Sequence, residues 1–112
     1  PFQRPKPWRR PEPASMVPAE LHPEADQELT QVAEYYESQA HGLGADFLGE
    51  FERTLDFLLR FPGAGRLLPH GSRRLPLRRF PYHVIYRNDP DRVLILAVAH
   101  YRRRPGYWRV RQ

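Results

Sequence analysis

Residues 73–100, RRLPLRRFPYHVIYRNDPDRVLILAVAH, decide how the chain folds. From Arg73 to Arg79 the residues alternate, with Leu75 and Leu77 on one side and Arg74 and Arg78 on the other, the pattern of a one-sided strand with a basic outer face. Phe80-Pro81 breaks that strand and Tyr82 to Arg87 begins another. Asn88-Asp89-Pro90-Asp91 then supplies a turn into Val93 to Ala99. This last segment is apolar at every position, which predicts burial on both faces and the innermost place in the sheet.

Upstream the period is helical. Val17 to Leu21 is short and suits an edge strand, with Pro18 tolerated near its beginning. Pro23 suits a first helical turn, and Glu24, Asp26 and Glu28 place negative charge near the positive end of that helix. Ala25, Leu29, Val32, Ala33, Tyr36 and Ala40 then fall on one face, while Glu34 and Glu37 belong to a solvated face. His41-Gly42-Leu43-Gly44 stops the helix, and a second opens at Ala45-Asp46. Its stripe is Phe47, Phe51, Leu55, Leu58 and Leu59, thickened by Leu48, Phe57 and Phe61, and Phe61-Pro62-Gly63 ends it. A helical hairpin followed by a three- to four-stranded antiparallel sheet makes an α+β domain, with the helices on one face and Arg, His and Tyr side chains on the other.

The chain has 112 residues, enough for one core. Residues 1–15, PFQRPKPWRRPEPAS, hold five prolines and no apolar period, so an extended tail is expected there, an upstream extension of the frame or a cloning remnant. A single domain over residues 16–112 follows. Cysteine is absent, which excludes disulfides and thiolate zinc sites. No apolar stretch approaches the roughly 20 residues needed to cross a bilayer, and no signal-peptide core is seen; a soluble, cytoplasmic protein is expected. The five histidines lack HxxxH or HxxEH spacing, and no GxxxxGK[ST] or GxSxG motif occurs. Neither a metal nor a cofactor is expected.

Charge is segregated: residues 16–61 carry a balance of −8 and residues 66–112 one of +10. A basic face suited to a polyanion or an acidic protein segment is therefore expected from the C-terminal half. Its candidate residues are Arg74, Arg78, Arg79, His83, Arg87, His100, Arg102, Arg103, Arg104, Tyr107 and Trp108. Guanidinium forks pair with phosphates or carboxylates alike, and aromatic rings stack on bases for about 1–3 kcal/mol each, so both partner classes stay open. The plainer reading makes His100 a strand end bonded to backbone, Tyr82 and Tyr86 packing residues, and Trp108 a cover over the core edge.

LHPEADQEL at 21–29, GLGADFLGEFERTLDFLLRFPGAG at 42–65, RRFPYHVIYR at 78–87, VLILAVAH at 93–100 and RRRPGYW at 102–108 together resemble the RelE/ParE superfamily of bacterial type II toxins, over residues 17–109. The resemblance implies a helical hairpin on a small antiparallel sheet and an antitoxin, disordered until bound, that wraps the toxin in a hetero-oligomer. One branch cleaves mRNA on the ribosome without metal; the other poisons DNA gyrase and has no accepted catalytic residues. For the ribonuclease pattern, Arg74 and Arg102 match basic positions and His83 stands where an Arg is expected. Pro76 replaces a Lys/Arg, and Trp108, beside Tyr107, stands near the expected catalytic Tyr. FPYHVIYR and HYRRRPGYW look more like the ParE branch, often called plasmid stabilisation proteins. The implied function is a gyrase inhibitor. The alternatives are a ribosome-dependent endoribonuclease using Arg74, His83 and Arg102, and a degenerate toxin that keeps antitoxin binding and operon autoregulation.

Overall fold

The computed structural model describes residues 17–111, so the expectation of an extended tail over residues 1–15 lies outside the described residues. In chain order the elements are β1 (Ala19–Leu21), α1 (Pro23–Gln39), α2 (Leu43–Arg60), β2 (Arg66–Leu67), a 3-10 turn (Pro69–Gly71), β3 (Arg73–Pro76), β4 (Tyr82–Asn88) and β5 (Val93–His100). The strands form one sheet in the order β1-β5-β4-β3-β2.

The α+β architecture is the expected one, a helical hairpin on one face of a sheet, but the sheet is larger and mixed. Among the described residues it has five strands, and β1 runs parallel to β5, pairing Ala19 with Val93 and Leu21 with Ile95. The other pairings are antiparallel. A two-residue β2 is too short to show any period, and nothing in a three-residue strand announces the direction of a partner 74 positions away, the step from Ala19 to Val93. β3 also ends at Pro76, so Arg78 and Arg79 lie in a bend beyond it and not on a strand face.

His22 caps α1, its Nδ1 accepting from the Glu24 amide at 3.1 Å, and Pro23 occupies the first turn, where its missing N–H costs nothing. Ala25, Leu29 and Ala33 are buried against β5 and α2. The link to α2 is held by Glu37, whose carboxylate accepts from the Gly42 and Gly44 amides at 3.1 Å each. Those bonds, the Gly42 one foremost, pull the Glu37 carboxyl below its usual range. Gly42 sits at φ 86°, so no side chain of its own caps α2; Glu37 does that work from the previous helix. Gly44 is required by contact: a Cβ there would lie 2.6 Å from the Ala33 carbonyl oxygen.

The main core lies between helices and sheet. Phe47, Phe51, Leu55 and Leu58 meet Val84, Tyr86, Val93, Ile95 and Val98, and burying each such side chain is worth about 1.5–3 kcal/mol. Tyr86 is fully buried yet satisfied, its hydroxyl donating to the Pro62 carbonyl at 2.7 Å and accepting from the Gly65 amide at 2.9 Å. Between β4 and β5 the register slips: Ile85 pairs with Ala97 but Tyr86 with Ile95, leaving Leu96 as a bulge. Leu96 and Ala97 consequently share the sheet face turned away from the helices. There they join Ile85, Leu94 and Ala99 in a second apolar cluster, covered by Leu68, Tyr107 and Trp108. The far face was expected to be polar; the bulge and the folded-back C-terminal turn give it a core of its own.

Candidate binding surface

Beyond Leu21, β1 no longer covers the outer edge of β5. The first exposed carbonyl there, Ile95, accepts from the His22 amide at 2.9 Å. Side chains continue the ladder. Arg111 Nη1 donates to the Leu96 carbonyl at 2.8 Å, and the Val98 amide donates to Glu28 Oε1 at 3.0 Å. The two side chains also join each other, Nη1 to Oε1 and Nη2 to Oε2, at 3.0 Å in both bonds. Tyr107 completes the group by donating its hydroxyl to Glu28 Oε2 at 2.8 Å. Burial first, then the bond to Glu28, raises the Tyr107 phenol well above its ordinary value of 10.0. Burial works against the Arg111 charge, yet Glu28 outweighs it and the guanidinium is held protonated. Glu28 thus does more than favour the start of α1, and Arg111 is a residue that sequence reasoning missed.

This anchor fixes the turn that carries the basic run. The Tyr101 amide donates to Pro81 and the Arg103 amide to His100, both at 2.9 Å, while His100 Nδ1 accepts from the Arg102 amide at 3.0 Å. His100 therefore ends β5 with its ring engaged on backbone and edge-on to Tyr82 at 5.0 Å. Arg102, Arg103 and Arg104 are all exposed. Arg103 lies over the Tyr107 ring, 3.9 Å from its centroid, a cation–π contact worth roughly 0.5–1 kcal/mol at an exposed site. Tyr107 and Trp108 pack edge to face at 5.3 Å on the second cluster, so only part of each ring faces outward.

Cross-strand register brings Arg74 and Arg87 to the same far face, since they pair with Ile85 and Leu94 of the second cluster. His83, between Pro76 and Ala99, joins them, its ring 4.3 Å from that of Tyr101. Burial, then the Arg74 guanidinium, lowers the His83 imidazole below its usual 6.5, so it is neutral at pH 7. Its Nδ1 is buried and has no hydrogen-bond partner among the described residues, and hence no carboxylate orients it. Arg87 is largely spent. Its Nε and Nη2 bond both Asp89 oxygens, at 2.7 and 3.0 Å, and the pairing raises Arg87 and lowers Asp89.

Arg78 and Arg79 stand apart from this face. Their amides both donate to Glu50 Oε2, the Arg79 bond at 2.8 Å, and their side chains line a groove between α2 and β3. The candidate residues therefore divide into an exposed loop with Arg102–Arg104, Tyr107 and Trp108, a far-face pair of Arg74 and His83, and a separate bend at Arg78 and Arg79. Among the described residues no group of three or more His, Asp or Glu could hold a metal ion, and no helix is long and apolar enough to cross a membrane.

The family described as ParE toxin of type II toxin-antitoxin system, parDE, matches residues 19–105. A solved structure titled "Chromosomal ParDE TA system from P. aeruginosa" is similar with a TM-score of 0.65 and 21% identity, covering 76% of this chain and 96% of that chain. At that identity the likeness is one of fold. No curated protein matches the sequence.

Proposed function

The chain belongs to the ParE toxin family, and on that premise we propose that it disables DNA gyrase by binding it, and that a cognate antitoxin neutralises it. The observation that carries the reading is the family match over residues 19–105, which takes in both helices and all five strands. The exposed arginines 102–104, fixed from behind by the Glu28–Arg111 pair, supply a cationic edge suited to a large acidic partner. A cytoplasmic location belongs to the same proposal, since that is where it would meet gyrase.

Support for the ribonuclease alternative is thinner. Arg74 and His83 come together, but the ring carries no orienting hydrogen bond at Nδ1, and Pro76 sits opposite it where a second cation is needed. General acid–base transfer depends on a positioned base, and the Tyr101 ring against this one supplies an aromatic contact and not a hydrogen bond.

A supercoiling assay decides. Toxin purified away from antitoxin is titrated into gyrase, and antitoxin is then added back; inhibition followed by rescue is expected. Full supercoiling at saturating, folded toxin overturns the proposal. Cleaved codons on translating mRNA, lost in His83→Ala, would install the ribonuclease instead. Harmless expression without antitoxin would indicate the degenerate toxin.

A further inference from the structure

We propose that Arg66 and Arg74 form a phosphate-binding pair on the far face of the sheet, through which the toxin grips duplex DNA while its basic loop engages gyrase. The proposal rests on the gyrase reading above and adds a second partner, the DNA on which that enzyme works.

The pairing of β2 with β3 sets Arg66 directly opposite Arg74. Residues so paired share one face with Cβ atoms about 4.5–5.5 Å apart, and like charges in that position repel. The face is the far one, because Arg74 pairs in turn with Ile85 of the second cluster. Arg66 is exposed and Arg74 half-buried, and neither side chain makes a hydrogen bond or an ion pair among the described residues. No acid compensates them. Glu20, the one acid in the five described strands, binds Arg92, and Asp89 beyond β4 is shared by Arg87 and Arg92. His83, further along β4 on the same face, is neutral at pH 7 and adds no charge of either sign. An anion placed between the two guanidiniums would turn their repulsion into charge-assisted hydrogen bonds.

The surroundings choose among anions. An acidic protein needs an apolar centre to its interface, but the apolar cluster behind these arginines is closed by Leu68, Tyr107 and Trp108. A single nucleic-acid strand needs open rings on which to stack its bases. Here Tyr101 lies against His83 at 4.3 Å, while Tyr107 carries Arg103 at 3.9 Å and packs edge to face on Trp108. Duplex DNA keeps its bases stacked within itself and presents closely spaced phosphates, which need only guanidiniums that are free to meet them. Contacts of this kind fix a protein on the duplex without reading its sequence. The pair therefore supplies grip, and recognition of gyrase stays with the loop.

Binding of the full toxin to a labelled mixed-sequence duplex is followed by fluorescence anisotropy as salt is raised, and affinity should fall steeply. Arg66→Ala with Arg74→Ala is expected to weaken binding at least tenfold at low salt. It should also reduce the slope of log affinity against log salt by about 0.9–1.8, the loss of one or two phosphate contacts. Arg78→Ala with Arg79→Ala removes the same charge from the bend beyond β3 and should bind like the parent. Arg66→Glu, which makes the opposed pair attractive, should keep or raise the thermal midpoint while abolishing DNA binding, so that loss of binding is not loss of fold. Toxin affinity for gyrase is then measured with and without DNA. DNA should raise it severalfold in the parent and leave it unchanged in the Arg66→Ala, Arg74→Ala variant. No duplex binding by the parent, equal losses in the two double variants, or tighter binding of single-stranded RNA than of the duplex overturns the proposal. A gyrase affinity indifferent to DNA overturns it equally. A toxin that holds the duplex through Arg66 and Arg74 yet neither binds nor inhibits gyrase refutes the gyrase reading and leaves the DNA site standing.

Discussion

Glu28 and Arg111, which face each other through two hydrogen bonds of 3.0 Å, together take the Val98 amide and the Leu96 carbonyl that β1 leaves uncovered. A buried ion pair of this kind is weak evidence of net stabilisation, but removing one member leaves an uncompensated charge. Arg111→Ala is expected to cost about 3–5 kcal/mol in urea unfolding. Adding Glu28→Ala to Arg111→Ala should recover part of that loss. A double variant as unstable as the sum of the two singles would show that the pair is not coupled.

Gly44→Ala should wedge the helical hairpin open, because the nearest atom to the added methyl is the Ala33 backbone carbonyl at 2.6 Å, which cannot swing aside. A loss of about 1–3 kcal/mol is expected from such overpacking. Chemical denaturation measures it; an unchanged midpoint would mean that the two helices separate at no cost.

The lowered His83 pKa has a pH signature. Below 6.5 the unfolded chain binds the His83 proton before the folded one does, so stability falls with pH from 6.5 down to the lowered folded value and then levels. The Asp89 carboxyl, held below 3.8 by Arg87, adds its own loss only at still lower pH. His83→Phe is expected to flatten the first window and leave the second. Denaturation midpoints followed downward in half-unit steps from about pH 7.5 through both windows check this.

If the basic loop meets gyrase, the triple variant Arg102→Ala, Arg103→Ala and Arg104→Ala should raise the toxin concentration for half-inhibition about tenfold, the equivalent of ~1.4 kcal/mol. Its thermal midpoint should move little, because all three side chains are exposed and only Arg103 has a side-chain contact to lose among the described residues. Unchanged inhibition would direct attention to Arg74 and the far face.

Elements with a full local period were legible. The α1 and α2 stripes, the buried β5 and the turn at residues 88–91 follow from spacing that the folded chain keeps. What escaped depends on partners distant in sequence. The bulge at Leu96 hides inside a run that is apolar at every position, so no break in pattern marks it. Glu28 and Arg111 carry no local sign of their meeting. Phe57 and Phe61 extend the α2 stripe on paper, yet they fall beyond the width that the sheet covers and are left in water. For the candidate surface, composition identified the residue types but not their division among a loop, a sheet face and a groove.

The strand order also sets when this fold can exist. Among the described residues β5 is the last strand in chain order, yet it lies between β1 and β4 and beneath α1. A nascent chain that has emerged only as far as the turn at residues 88–91 has both helices but no central strand to bury them against, and β1 has no neighbour. Pairing Ala19 with Val93 closes a loop spanning most of the domain, the kind of contact that slows folding. The domain therefore passes from inert chain to assembled fold in one late step, and any activity it has begins only once β5 has emerged.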